Sequence, residues 1–155
     1  MENSKPPYDE RSDDQKLESN WHKASKLYER KDWSACIVRI ATSVEIAANI
    51  HIRAFFRNEC QVPSSVVDAL LKAANGIDGK FGRLIKPISE HRGTWGEIKA
   101  LKSEIDKLND HRNSIAHSGA FKSAADAWAC FQIGLSVIQK IAPSEVEKLE
   151  LPEEG

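Results

Sequence analysis

The residue types best suited to chemistry lie together in the run 110–119, which reads DHRNSIAHSG. Arg112 carries a guanidinium that stays charged at any working pH, Asn113 offers a carboxamide, and His117 offers an imidazole. Arginine can grip a phosphate and stabilise the charge that it gains in a transition state. Histidine can take a proton from a ribose 2′-hydroxyl or give one to a leaving oxygen. This combination suits cleavage of a phosphodiester without a metal ion.

The spacing of Arg112 and His117 limits how the two side chains can meet. In an ideal helix a separation of five residues places them about 140° apart. They converge only if the helix unwinds near Ser118, as Gly119 would allow. Alternatively, a second subunit completes the pair. Either route gathers a permanent cation, an imidazole and a carboxamide around one spot.

Arg112 also belongs to an apolar stripe at helical spacing, formed by Ile98, Leu101, Ile105, Leu108, Arg112 and Ile115. A charge on such a stripe is costly unless it is paired or faces a wet cleft. Two structural explanations therefore compete with a functional site. The guanidinium could pair inside the fold, for example with Glu45, or it could snorkel at the end of a helix bundle.

The run resembles the R-x(4-6)-H signature of the HEPN superfamily, small helical-bundle domains of toxin–antitoxin, antiviral abortive-infection and RNA-processing systems. Here the pattern is Arg112, four residues and His117, with the polar Asn113 directly after the arginine, as is common in that family. The resemblance implies a metal-independent endoribonuclease that needs no cofactor. Its active site would form where two protomers meet, with Arg112, Asn113 and His117 contributed by both.

The resemblance also implies partners, namely RNA, a second copy of the chain and an antitoxin or regulatory protein. HEPN domains without nuclease activity exist as well. The alternative function is therefore a non-catalytic HEPN-like module that binds RNA, a nucleotide or a partner protein. A plain helical interaction domain, in which Arg112 pairs internally, is a third alternative.

Three further residues are candidates to orient the catalytic groups or to line the cleft. Glu45 lies beside the apolar stripe of the second predicted helix and could orient Arg112 or His117, although solvent exposure would explain it equally well. His51 lies on that stripe, where a satisfied core histidine is the competing interpretation. His111 adjoins Arg112 but points elsewhere on a helix, which favours the surface or the cleft rim.

A basic segment offers candidate contacts to an RNA backbone. Lys80, Arg83 and Lys86 lie in and after a stretch, 76–82, that contains three glycines. This stretch lacks the Gly-Lys-Ser/Thr ending of a phosphate-binding P-loop, so we interpret it as a flexible connection. Its cations could follow a phosphate backbone, and a solvated loop is the competing explanation.

No group of residues has the spacing of metal ligands, so we expect no metal site. The three cysteines, Cys36, Cys60 and Cys130, form no CxxC pair and are too few and too odd in number for a disulfide framework. A reducing cytoplasm is the simplest location. The apolar stretch 37–56 is interrupted by charged residues, so we expect no membrane span and no membrane partner.

The period of the apolar residues is helical along most of the chain, and no strand-like alternation of useful length occurs. Helix starts are predicted at Ser12 with Gln15, at Asp32, at Pro63, at Thr94 with Glu97, and at Ser123 with Asp126. We therefore expect an all-α protein, an antiparallel up-down bundle of four to five helices that is HEPN-like. The fourth helix should run from Thr94 to about Ala116.

Charge is distributed unevenly along the 155 residues. The chain has 22 Lys and Arg against 23 Asp and Glu, a formal net charge of −1. Between residues 16 and 143, however, 19 basic residues face 13 acidic ones, a balance of +6. We expect an acidic flexible N-terminal tail (1–12), a single bundle domain (13–143) and an acidic C-terminal tail (144–155). The basic body permits an RNA substrate.

Overall fold

The computed structural model describes residues 5–154, and over this range the chain is helical and contains no strand. The all-α prediction is confirmed. The α-helices are α1 (Asp13–Glu29), α2 (Trp33–Asn58), α3 (Ser64–Ala73), α4 (Gly76–Lys80), α5 (Lys86–Arg92), α6 (Trp95–Lys99), α7 (Lys102–Ser118) and α8 (Ala124–Ile141). A π-helical turn (Phe81–Ile85) joins α4 to α5, and two 3₁₀ turns (Tyr8–Glu10 and Pro143–Lys148) flank the α-helices.

Helix α2 is the centre of the fold. It packs against α1, α3, α4, α7 and α8, and its buried side chains extend well beyond a single narrow stripe. These buried residues are Cys36, Ile37, Ile40, Ala41, Ser43, Val44, Ile46, Ala47, Ala48, Ile52 and Phe55. The predicted apolar stripe is only part of this set, because α2 has neighbours on more than one face.

By length and composition alone, α2 could cross a membrane, and within residues 5–154 no other helix could. Its most apolar window has a mean hydropathy of 1.4, and 56% of that window is buried inside the fold. The core helix of a soluble protein has the same properties, and the helices packed around α2 account for its apolar character.

The predicted helix starts are mostly formed as the sequence indicates. The Asp32 carboxylate accepts a hydrogen bond of 3.4 Å from the backbone N–H three residues later. Ser123 and Asp126 form a reciprocal capping box, with bonds of 3.0 and 3.1 Å. At α1, the N–H of Ser12 donates to the Gln15 side chain at 3.1 Å. These bonds satisfy backbone donors that have no partner within the helix.

The predicted fourth helix, Thr94 to Ala116, is wrong as a single element. It is divided into α6 and α7 by a turn at Leu101, whose N–H donates to the carbonyl of Ile98 rather than one residue further back. The division lets the two parts pack on different neighbours, because α6 contacts α5 whereas α7 contacts α2, α4 and α8. Ile98 and Ile105 are therefore both buried.

The glycine-containing stretch is helical, so the prediction of a flexible connection is wrong. Helix α4, the π-turn and α5 form one continuous helical segment over residues 76–92. Gly76 begins it with a φ of 81°, a conformation that glycine adopts without strain. A Cβ at Gly79 would lie 2.9 Å from the backbone of Ala74, so glycine permits a close approach there.

Residues 144–154, which the charge pattern assigns to an acidic tail, pack against the helices: the 3₁₀ turn Pro143–Lys148 contacts α8, and the chain after it contacts α1. The indole Nε1 of Trp21 donates to the carbonyl of Glu150 at 2.9 Å, and Leu149 is buried in the core cluster. This segment is held by its backbone and by its few apolar residues. A count of acidic side chains does not predict such contacts.

Within the predicted N-terminal tail, residues 5–12 also contact α1. The side-chain amide of Asn20 donates to the hydroxyl of Tyr8 at 2.9 Å. The first four residues and the last residue of the chain lie outside the described range, as do the parts of the two predicted tails that fall on them.

Gly134 offers a test of the packing between α8 and the core. A Cβ added there would lie 3.0 Å from Ile40 and 3.1 Å from Trp21, both of which are fully buried. We expect Gly134→Ala to lower the free energy of unfolding by about 1–3 kcal/mol, because the core has no room for it. Urea denaturation measures this change. In the control Gly82→Ala, which meets no atom within 4 Å, stability should be unchanged or raised.

Candidate functional site

Helix α7 keeps its regular form past both candidate catalytic residues. It ends at Ser118, and Gly119 then turns the chain with a φ of 61°. The N–H of Gly119 donates to the carbonyl of Ile115 at 3.1 Å, which is the usual way a glycine closes a helix. Of the two routes by which Arg112 and His117 could meet, unwinding of the helix before Ser118 is therefore not observed.

In a continuous helix the three candidate residues spread over one broad side of α7. Arg112 is half-buried and lies on the same face as Ile105, which is fully in the core. Asn113 is half-buried and His117, in the last turn, is exposed. The Arg112 and His117 side chains are about 140° apart around the axis, and Asn113 lies between them. A single chain does not bring the arginine and the histidine together.

The guanidinium of Arg112 forms no hydrogen bond or ion pair with any residue in the described range 5–154. Arginine cannot lose its charge at working pH, so a half-buried guanidinium without a carboxylate retains strong affinity for an anion. The internal pairing that the sequence left open is absent from this part of the chain.

Glu45 does not orient Arg112 or His117, so that candidate role is wrong. Its carboxylate lies 3.2 Å from the ammonium of Lys80 and accepts the backbone N–H of Gly76 at 3.2 Å. It therefore holds the start of α4 against α2. Both partners of the Glu45 carboxylate, Lys80 and Gly76, belong to the glycine-containing stretch, and they reach Glu45 because this stretch is helical.

Lys80 is not available to RNA, which corrects its assignment as a backbone contact. It is 4% exposed, and besides Glu45 its ammonium donates to the carbonyls of Leu71 and Ala74 at 3.3 and 3.4 Å. A buried ammonium needs such a set of partners to offset its lost hydration. Lys80 joins α2, α3 and α4.

The other two basic candidates stay at the surface. Arg83 and Lys86 are both exposed. The guanidinium of Arg83 donates to the carbonyl of Ala73 at 3.4 Å, and the ammonium of Lys86 lies 5.6 Å from the centre of the Trp95 ring. Their contact with RNA stays a prediction.

His51 is a structural residue that lies away from the candidate site. Its Nδ1–H donates to the carbonyl of Ile141 at 2.9 Å, at the end of α8. The loop after α7 is instead hydrogen-bonded to Ser34 of α2. Ser34 precedes His51 by 17 residues, so the two lie roughly 26 Å apart along the helix axis. Burial lowers the pKa of His51, and the nearby Arg92 charge lowers it further. Its role as a cleft residue is wrong.

His111 lies near the start of α8. The N–H of Ser123 is the main cause of the lowered pKa of Asp126, and the nearby His111 makes a smaller contribution in the same direction. His111 is half-buried and lies about 100° from Arg112 around the α7 axis. His111 therefore lies beside the capping box at the start of α8.

Phe121 is a surface residue near the candidate site that the sequence patterns did not single out. Phe121 is fully exposed (100%) in the loop after α7. Its neighbours are fixed, because the hydroxyl of Ser34 donates to the carbonyl of Ala120 at 3.2 Å and accepts the N–H of Lys122 at 3.1 Å. The sequence feature that could have indicated Phe121 is its position: an aromatic residue two positions after the glycine that ends a helix, outside any apolar stripe.

Comparisons of this chain with models of protein families, with curated proteins and with solved structures found no match. The functional argument therefore depends on the geometry and charge of the candidate site.

The Nε2 atom of His51 is buried and has no hydrogen-bond partner among the described residues, which generates a pH prediction. In the folded protein the pKa of His51 is lowered from 6.5, so the unfolded chain binds a proton at His51 more readily than the folded chain does. Stability should be complete above pH 6.5 and should fall as the pH drops towards the lowered native pKa. Urea denaturation between neutral and mildly acidic pH measures this slope.

The matched variants are His51→Asn and His22→Asn. The first keeps a donor for the Ile141 carbonyl but cannot titrate, so its stability should change less across this pH range than that of the wild type. The exposed His22 should have no such effect. Equal slopes for the wild type and His51→Asn would contradict this role.

Proposed function

We propose that this protein is a metal-independent endoribonuclease of HEPN type, with Arg112, Asn113 and His117 as its catalytic residues. The observation that carries the proposal is the half-buried guanidinium of Arg112, which has no partner in the described range and shares one side of α7 with Asn113 and the exposed His117. A phosphate is the ligand that best satisfies such a guanidinium.

A second copy of the chain completes the site. Because Arg112 and His117 diverge by about 140° on one helix, a phosphate held by the arginine of one protomer is reached by a histidine of the other. The fully exposed Phe121 and the exposed Ala116 lie at the same end of α7 and supply apolar surface for that contact. A two-fold axis would present each residue twice.

The chemistry needs one base, one acid and a clamp. His117 of one protomer takes the proton from the ribose 2′-hydroxyl, and the resulting oxygen attacks the neighbouring phosphorus. Arg112, assisted by the amide of Asn113, stabilises the charge that develops on the phosphoryl oxygens. The second His117 protonates the leaving 5′-oxygen. The products are a 2′,3′-cyclic phosphate and a 5′-hydroxyl.

The proposed ribonuclease acts in the cytoplasm, in a toxin–antitoxin, defence or RNA-processing system. Cys36 and Cys130 are buried free thiols, and burial raises the pKa of each to about 12. Cys60 is an exposed free thiol. Free thiols fit a reducing compartment.

Cleavage assays test the catalytic residues. In the presence of EDTA, the wild type should cleave RNA, and His117→Ala should lower the rate about a hundredfold or more because the general acid and base are lost. Arg112→Ala should lower it by a similar factor, and Arg112→Lys should recover only part, because lysine lacks the planar fork.

The controls are His22→Ala and Arg30→Ala, which remove exposed residues of the same types on and after α1 and should leave the rate unchanged. Equal activity in the wild type, Arg112→Ala and His117→Ala, or loss of activity in EDTA, would contradict the proposal. Binding of RNA that weakens in Arg112→Ala without any cleavage would instead favour the non-catalytic module.

Phe121→Ser tests the second copy. We expect the wild type to be a dimer at micromolar concentration and the variant to be mainly monomeric, as measured by analytical ultracentrifugation. The melting temperature of the monomer should hardly change, because a fully exposed side chain adds little to its core. Val66→Ser, at another exposed apolar residue, should stay dimeric. A wild type that is monomeric at this concentration would contradict the composite site.

A further inference from the structure

A groove of about 350 Å³ lies between the segment around the π-turn and helices α6 and α7. Apolar and aromatic residues form much of its lining, namely Phe81, Trp95, Ile98 and Ile105. Charged residues of both signs complete it, namely Asp78, Lys86, Lys102 and Asp106. Phe81, Ile98 and Ile105 are buried members of the core and form the floor of this groove, which the catalytic proposal does not use.

The groove lies on the side of α7 that also carries the candidate catalytic residues. Asp106 lines the groove, and Asn113 follows it by seven residues. In an α-helix this separation places the two side chains within about 20° of each other around the axis and roughly 10 Å apart along it. A chain bound at Asn113 can therefore continue along α7 into the groove.

We propose that this groove binds one unpaired nucleobase of a single-stranded RNA, next to the phosphate held by Arg112. This inference rests on the proposed ribonuclease function and adds the substrate class. Base stacking on an aromatic ring requires a base that has left its own stack, which single strands and loops provide. Trp95, which is half-buried, offers the aromatic surface, whereas Phe81 is buried beneath it and belongs to the core.

The charged groups of the groove are held in defined positions. The side-chain amide of Asn109, which is 8% exposed, donates to Asp78 at 2.7 Å. Lys102 lies 2.9 Å from Asp106, and Lys86 lies over the Trp95 ring. The two lysines can contact the phosphate that follows the base. The two carboxylates only accept hydrogen bonds, so they favour bases that present an amino group, such as adenine and cytosine, over uracil.

Gly82 allows the groove to be filled without moving the backbone. It lines the groove, and a Cβ built there meets no atom within 4 Å. In Gly82→Leu the new side chain would occupy the space proposed for the base. Gly96→Leu is the matched control, because a Cβ at Gly96 also meets nothing within 4 Å and this residue does not line the groove.

The test measures binding of short, labelled oligoadenylate, oligocytidylate and oligouridylate by fluorescence anisotropy, with 2′-O-methyl riboses that prevent cleavage. Gly82→Leu should bind oligoadenylate and oligocytidylate about tenfold more weakly than the wild type, and Trp95→Ala should show a similar loss. Oligouridylate should bind the wild type more weakly than the other two. Gly96→Leu should match the wild type, and circular dichroism establishes that each variant is folded.

Equal binding by the wild type and a folded Gly82→Leu would overturn the nucleobase site, even if unmodified RNA is cleaved and the ribonuclease proposal stands. Conversely, a tenfold loss in Gly82→Leu together with no cleavage of unmodified RNA by the wild type would support the groove and overturn the ribonuclease proposal alone. Tighter binding of duplex RNA than of single strands would also overturn the nucleobase site.

Discussion

The packing of helix α2 against five neighbouring helices is the constraint on which the rest of this structure depends. Most polar side chains on such a helix find a partner for at least one of their groups, because an unpaired polar group away from water is costly. Arg39 bonds to Asn20 of α1, Glu45 to Lys80, and His51 to the carbonyl at the end of α8. Each of these bonds fixes the position of one neighbouring helix.

The same bonds determine what is left for chemistry. Because Glu45 is held by the buried ammonium of Lys80 and by the start of α4, it does not neutralise Arg112. Helix α7 packs against α2 and keeps a guanidinium with no protein partner in the described range.

Local signals in the sequence were sufficient for the helical class, for most helix starts and for much of the core. Capping residues such as Asp32 and Ser123 act within one turn, so their effect does not depend on distant contacts. The break at Leu101 and the helical form of residues 76–92 were not predictable in this way. Each depends on which neighbouring helix lies alongside, because the packing there overrides the local preference of glycine and of a continuous stripe.

The sequence by itself determined which residues could carry the chemistry, because residue type and spacing place Arg112, Asn113 and His117 near the end of one helix. Only the tertiary structure decided which polar residues accompany them. It removed Glu45, Lys80 and His51 from the site, since their partners come from segments far along the chain. It also left Arg112 without a partner among residues 5–154, because burial and charge pairing are properties of the assembled fold and not of any local pattern.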